Sequence, residues 1–107
     1  NTYRALKEDG LFVQQTESPV MHKQLVSDVF YYVNKHFPVT RLYTAFIPLY
    51  PTGMHCFTMG SKKHDPLEWD PNRAQDFTTK YYNYGIQKSA FVLPTFVKQY
   101  LQARIAE

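Results

Sequence analysis

Two short segments carry the residue types suited to holding a polar or cationic small molecule. The first is Gln14-Gln15-Thr16-Glu17, which follows the apolar run Leu11-Phe12-Val13 and precedes Ser18-Pro19. If the apolar run is a strand and Ser18-Pro19 opens a helix, this segment lies where ligands bind in open α/β sheets, outside the carboxyl end of a strand. There Gln15 can hydrogen-bond a polar substrate and Glu17 can pair with a cation. The alternative is a solvated loop whose acid favours the start of the next helix. The second segment is Ile47-Pro48-Leu49-Tyr50-Pro51-Thr52-Gly53. Its prolines hold Tyr50 in a stiff, non-helical backbone. A tyrosine so held offers a hydroxyl and a ring face that attracts ammonium groups, or else it simply packs in an ordinary turn.

Other chemistries find little support. Neither Gly-x-Gly-x-x-Gly nor Gly-x-x-x-x-Gly-Lys occurs, so the usual phosphate-cradling loops are missing. His22, His36, His55 and His64 lack metal-ligand spacing. Cys56 adjoins His55, but neighbours on a strand point to opposite faces, which argues against a shared metal and against a Cys-His nucleophile. A buried thiol beside an ordinary strand histidine is the expected arrangement. The cluster Tyr81-Tyr82-Asn83-Tyr84-Gly85 is read as packing.

The chain has 107 residues, of which 12 are Lys or Arg and 9 are Asp or Glu, a formal net charge of +3. Acids and bases alternate, and the basic spot Lys62-Lys63-His64 is followed at once by Asp65, Glu68 and Asp70. A nucleic-acid partner would call for a basic face or stripe, so none is expected. No run of about 18 apolar residues exists to cross a membrane. The start, Asn1-Thr2-Tyr3-Arg4, lacks a signal-peptide layout and an initiator Met, which points to a processed, truncated or engineered start. A single Cys fits a reducing, cytoplasmic setting.

The elements that must position the two segments follow from periodicity. Thr2 to Glu8 reads as the end of a helix, with Gly10 as a left-handed cap. Leu11-Phe12-Val13 reads as a short buried strand ending in a polar loop. Ser18-Pro19 reads as an N-cap with Pro at the first helical position. From Val20 to Phe37, Met21, Leu25, Val29 and Val33 recur every four residues and Val26, Phe30 and Phe37 widen the stripe, so this helix must bury one side. Val39 to Ile47 is a β-branched and aromatic strand, Pro48 to Gly53 a turn, and Met54 to Met59 the returning strand. The polar stretch from Gly60 to Gly85 has room for a short helix from Pro71, capped by Asp70, to about Lys80. Pro94 opens a last helix with Phe96, Val97, Tyr100, Leu101 and Ile105 on one face. The class is α/β, with the order β-α-β-β and flanking helices. Three strands offer too little surface for these stripes and for 9 Tyr and 8 Phe, so the chain is expected to be part of a larger domain.

Four stretches together resemble the spermidine synthase (polyamine aminopropyltransferase) family. They are Leu6-Lys7-Glu8-Asp9-Gly10-Leu11-Phe12-Val13-Gln14-Gln15-Thr16-Glu17-Ser18-Pro19, then Ile47-Pro48-Leu49-Tyr50-Pro51-Thr52-Gly53, then Phe57-Thr58-Met59-Gly60-Ser61-Lys62-Lys63, and finally Lys80-Tyr81-Tyr82-Asn83 with Ala90-Phe91-Val92-Leu93-Pro94. Their order and spacing also fit, and they extend over nearly the whole chain. The resemblance implies that residues 1–107 are the C-terminal portion of a Rossmann-like methyltransferase fold with a mixed sheet. An antiparallel strand is then inserted between two parallel ones, and the N-terminal β domain and nucleotide-binding half lie outside this chain. It implies transfer of an aminopropyl group from decarboxylated S-adenosylmethionine to a diamine, usually putrescine. That nucleotide is a co-substrate held mainly by the other half, and no cofactor or metal is implied.

Tyr50 matches the family's diamine-contacting tyrosine, Gln15 a polar residue of the acceptor pocket, and Glu17 a recurring acid. The family's Asp base lies upstream. Asp9, Asp28, Asp65, Asp70 and Asp76 fit neither its motif nor the nucleotide loop, so no catalytic residue is assigned. The expected partners are putrescine or a related diamine, the rest of the same enzyme chain, and further copies in a homodimer or homotetramer. A non-catalytic scaffold of the same fold, or an enzyme with spermidine or agmatine as acceptor, are the competing expectations.

Overall fold

A computed structural model describes residues 2–49, 53–68 and 79–106. Helix α1 (Thr2–Ala5) is a single turn, followed by strand β1 (Leu11–Gln15), helix α2 (Lys23–His36), strand β2 (Val39–Phe46) and strand β3 (Met54–Ser61). A 3-10 turn (Pro66–Glu68) leads on to helices α3 (Tyr84–Ala90) and α4 (Thr95–Ala106). The Pro71–Lys80 helix expected from Asp70 lies largely outside the described residues.

The sheet order is β1-β3-β2. Strand β3 runs antiparallel to both neighbours, with Leu11 opposite Ser61 and Gln15 opposite Phe57 on one side. On the other side Val39 faces Ser61 and Phe46 faces Met54. Strands β1 and β2 therefore point the same way with β3 inserted between them, as the family resemblance implies, although every ladder in the described sheet is antiparallel. The parallel sense places the carboxyl ends of β1 and β2 at one edge of the sheet.

One face of the sheet carries the core. Val26 of α2, Leu42 of β2, Cys56 of β3, and Val97 and Leu101 of α4 are buried together, with Phe30, Leu93 and Tyr100 packed against them. Helix α2 reaches this face through Val26, Val33 and the Phe37 that ends it. Extended backbone at Phe37, just before Pro38, stops the helix. Asp28 pairs with Arg104 at 3.1 Å, which joins α2 and α4 at their polar margins, and the Tyr100 hydroxyl donates to the Pro19 carbonyl in the segment before α2.

Among the described residues the opposite face is only partly covered. Tyr43 stacks on Phe57 with ring centroids 5.0 Å apart, and Phe91, just past α3, leans on Tyr43. Asn83 caps α3 by accepting the Ile86 N–H. A cavity of about 930 Å³ opens between α3, β2 and the 63–68 loop, lined in part by Tyr43, Met59, Tyr82 and Phe91.

Several expectations are corrected. Strand β1 is not buried: Leu11 is 45% and Val13 41% exposed. It lies at the edge of the described sheet, where Phe12 packs on Phe37 but Leu11 and Val13 stay exposed, and it continues through Gln14 and Gln15 instead of releasing them into a loop. Gly10 is no left-handed cap, because Gly53 is the glycine with positive φ among the described residues. Gly10 serves close approach instead, since a Cβ there would lie 2.8 Å from Leu6 Cβ. Ser18 caps a turn rather than α2: its Oγ accepts from the Val20 and Met21 N–H groups. The helix begins only at Lys23, after a non-helical His22. Helix α3, unforeseen in the polar stretch, takes Tyr84 into its first turn, and Tyr81 stays exposed instead of packing. Met21, Leu25, Phe96 and Ile105 also stay exposed, so both helical stripes are half covered. This fits the expected need for more partner surface.

Candidate functional site

Gln15 ends β1 at the sheet edge where β2 also ends. The ladder closes just beyond it with two residues opposite one. The Thr16 N–H donates to the Cys56 carbonyl, and the Cys56 N–H donates to the Glu17 carbonyl at 2.8 Å. Such an extra residue ends pairing and redirects the chain. Glu17 takes φ 68°, the positive-φ non-glycine position among the described residues. That backbone costs an L-residue with a Cβ, and strain of this kind concentrates at binding sites. Under the bulge the Thr16 and Thr58 hydroxyls are buried 3.4 Å apart.

From the same edge springs the loop joining Phe46 to Met54. The Ile47 N–H donates to the Gly53 carbonyl and closes its base; Gly53 has φ 74°, and a Cβ there would also strike the Phe46 ring. Tyr50, predicted for this loop, lies outside the described residues. Of the three predicted site residues, Gln15 and Glu17 are brought to one edge, two positions apart and both exposed.

His55, read from the sequence as an ordinary strand histidine, also belongs to this edge. It faces Ala45 across the β2–β3 ladder and is buried, and its Nδ1 lies 3.1 Å from Gln15 Nε2. The two are diagonal neighbours on adjacent strands, within reach of long side chains. Forty positions separate them in sequence, and no local pattern announces the register that joins them.

Cys56, one residue on, turns to the opposite face and joins the core. Burial pushes its thiol up to about 12, so it stays protonated and unsuited to nucleophilic attack. This agrees with the reading of a buried thiol. Among the described residues no group of three or more His, Cys, Asp or Glu side chains could hold a metal ion. No described helix is long and apolar enough to cross a membrane. Asp65 lies at the far end of the sheet. The Arg41 guanidinium donates to it at 3.1 and 2.6 Å and holds its carboxyl below the usual range.

The arrangement at the carboxyl edge is therefore an exposed amide with a fixed neighbour and a carboxylate on a strained turn. Its groups suit hydrogen bonding and charge pairing with an amine. Among the described residues they include no activated nucleophile and no phosphate-binding loop.

Comparison with known proteins bears on the family and the fold. The spermine/spermidine synthase domain model matches residues 1–69. A polyamine aminopropyltransferase of Shouchella clausii is 57% identical over 99 residues, covering 92% of this chain and 36% of its own length. That of Caldicellulosiruptor saccharolyticus is 52% identical over 100 residues, covering 94% of this chain and again 36% of the relative. The crystal structure of spermidine synthase from Thermotoga maritima superposes with a TM-score of 0.89 at 39% identity, over 95% of this chain and 37% of that one. A spermidine synthase in complex with the transition-state analogue AdoDATO gives 0.88, also at 39% identity, over 94% of this chain and 36% of that one. The chain thus spans a little over a third of the length of the relatives it matches. With a family model matching well over half of its residues, the chain belongs to the spermine/spermidine synthase family.

Proposed function

We propose that this chain forms the acceptor side of a spermidine synthase. In that reaction an amine nitrogen of putrescine attacks the propyl carbon bonded to the sulfonium of decarboxylated S-adenosylmethionine. The new C–N bond forms as the C–S bond breaks, and methylthioadenosine and a proton leave. The observation that carries the reading is the convergence at one sheet edge of Gln15, Glu17 and the base of the loop bearing Tyr50.

Free primary amines are mostly protonated near neutral pH, so the nucleophile must be deprotonated and aimed. Alignment of nitrogen, carbon and sulfur is the larger contribution available from binding residues. Gln15 and Tyr50 orient the diamine, and Glu17 favours its distal ammonium. The base, an Asp, and the nucleotide loop belong to the remaining two thirds of an enzyme-length chain, which also holds the donor nucleotide. An N-terminal β domain, a cytoplasmic setting and assembly as a homodimer or homotetramer belong to the same reading.

The test is aminopropyl transfer to putrescine by an enzyme-length chain carrying these residues, with Tyr50→Phe beside it. The reading expects transfer by the wild type, and weaker diamine use with donor KM unchanged in the variant. Equal losses for both substrates argue against the role of Tyr50. Absence of transfer to any amine favours a non-catalytic scaffold, and transfer to spermidine or agmatine in place of putrescine reassigns the acceptor.

A further inference from the structure

His55, the second residue of β3, is 6% exposed, whereas its partner Gln15 is exposed. The bond between them, Gln15 Nε2 to His55 Nδ1 at 3.1 Å, thus ties a mobile type of side chain to a fixed ring. It also sets the sense of the amide. A glutamine amide has an N–H2 end that only donates and a carbonyl end that only accepts. Nδ1 can take a hydrogen bond only when it bears no proton, so this contact requires the tautomer with its proton on Nε2, the one that turns the Gln15 N–H2 inward. The carbonyl oxygen Oε1 is then the end left for a ligand.

That choice matters for an amine nucleophile. Oε1 accepts an amine N–H and leaves the nitrogen lone pair available to attack carbon. A flipped amide would donate into that lone pair and quench it. We propose that His55 is a positioning residue that holds the Gln15 amide with its carbonyl toward the acceptor amine. The inference rests on reading this edge as the acceptor site, and it deepens that reading by assigning the orientation of its polar contact.

The experiment compares His55→Phe, which keeps a ring of similar size without an acceptor, with His55→Asn, whose side-chain oxygen can still accept. Both are made in an enzyme-length chain carrying these residues. Loss of one neutral hydrogen bond should raise the putrescine KM of His55→Phe about 5–10-fold. The donor KM should stay at the wild-type value, and His55→Asn should recover most of the loss. An unchanged putrescine KM in His55→Phe, or KM values that rise together for both substrates, would overturn the proposal. A second readout needs no variant: the 15N spectrum of the wild-type His55 ring should show an unprotonated Nδ1. A proton on Nδ1 overturns the proposal even if the variants fail to fold. A wild-type chain inactive toward every amine overturns the acceptor reading and this proposal with it. A wild type that transfers to putrescine beside an unaffected His55→Phe overturns the proposal alone.

Discussion

At the end of the sheet where Leu11, Val39 and Ser61 lie side by side, charge and close packing hold the chain. Arg41 grips Asp65 with two hydrogen bonds, Lys62 Nζ donates to the Leu6 carbonyl at 2.8 Å, and the same ammonium sits 4.2 Å above the Tyr3 ring. Gly60 admits the Phe37 ring against the sheet. At the other end, where Gln15 stops, the backbone is less relaxed. Glu17 has positive φ, Ser18 caps only a turn, and the His22 that precedes α2 gives it no side-chain cap. One pair of strands thus ends in a lock on one side and in a strained, exposed edge on the other. Under the proposed acceptor reading, stability and binding fall at opposite ends of the same three strands, as expected when binding residues sit where local order is costly.

Changing the locked end should cost stability first. Gly60→Val puts carbon where ideal Cβ geometry already meets Phe37 at 2.8 Å and Val33 at 2.9 Å. Overpacking of this kind is expected to destabilise by about 1–3 kcal/mol, read as a lower denaturant midpoint. A midpoint equal to wild type would show that the Phe37 contact yields freely and that this end is less rigid than described. At the open end the sign should reverse. Glu17→Gly removes the Cβ that opposes positive φ and should raise stability by about 0.5–1 kcal/mol, net of the glycine's extra chain entropy. The same change should increase the putrescine KM in an enzyme-length chain. A loss of stability would mean that the turn at Glu17 is not strained.

The smallest effect concerns the charge lock. The Arg41 hydrogen bonds depress the Asp65 carboxyl in the folded state. The stability it supplies is therefore fully present above the ordinary carboxylate range, about 3.9, and is lost as pH falls through the lowered folded value. Arg41 is 39% exposed, so screening by water limits the pair to about 1 kcal/mol or less. Asp65→Asn should lower the unfolding free energy slightly at pH 7 and match wild type in strong acid. A gap that stayed constant down to acid pH would assign the loss to shape instead of charge.

The sequence made part of this contrast legible. Periodicity located α2, β2, β3 and α4, because an amphipathic stripe and β-branched runs have local signatures. The position of Gln15 and Glu17 at a strand end followed from the apolar run before them and the helix start read at Ser18-Pro19. The inserted position of β3 came from family resemblance, since strand order depends on contacts distant in sequence. The same limit hid His55: its meaning depends on the register that sets it diagonal to Gln15. Gly10 misled because a glycine kept for close approach looks the same in sequence as one kept for positive φ. Strand β1 misled because its apolar side chains have the composition of a buried strand, whereas only Phe12 packs, on Phe37, and Leu11 and Val13 stay exposed. Helix α3 escaped notice because it is seven residues long, and its Asn83 cap followed a polar stretch.

The most direct measurement of the central claim is steady-state kinetics of Gln15→Ala in an enzyme-length chain, with putrescine and decarboxylated S-adenosylmethionine varied separately. Removing a hydrogen-bonding amide from the acceptor pocket should raise the putrescine KM about 10-fold, a little over 1 kcal/mol, with the donor KM unchanged. Wild-type values for both substrates, or a matching rise in both, would contradict the assignment of this sheet edge to the acceptor amine.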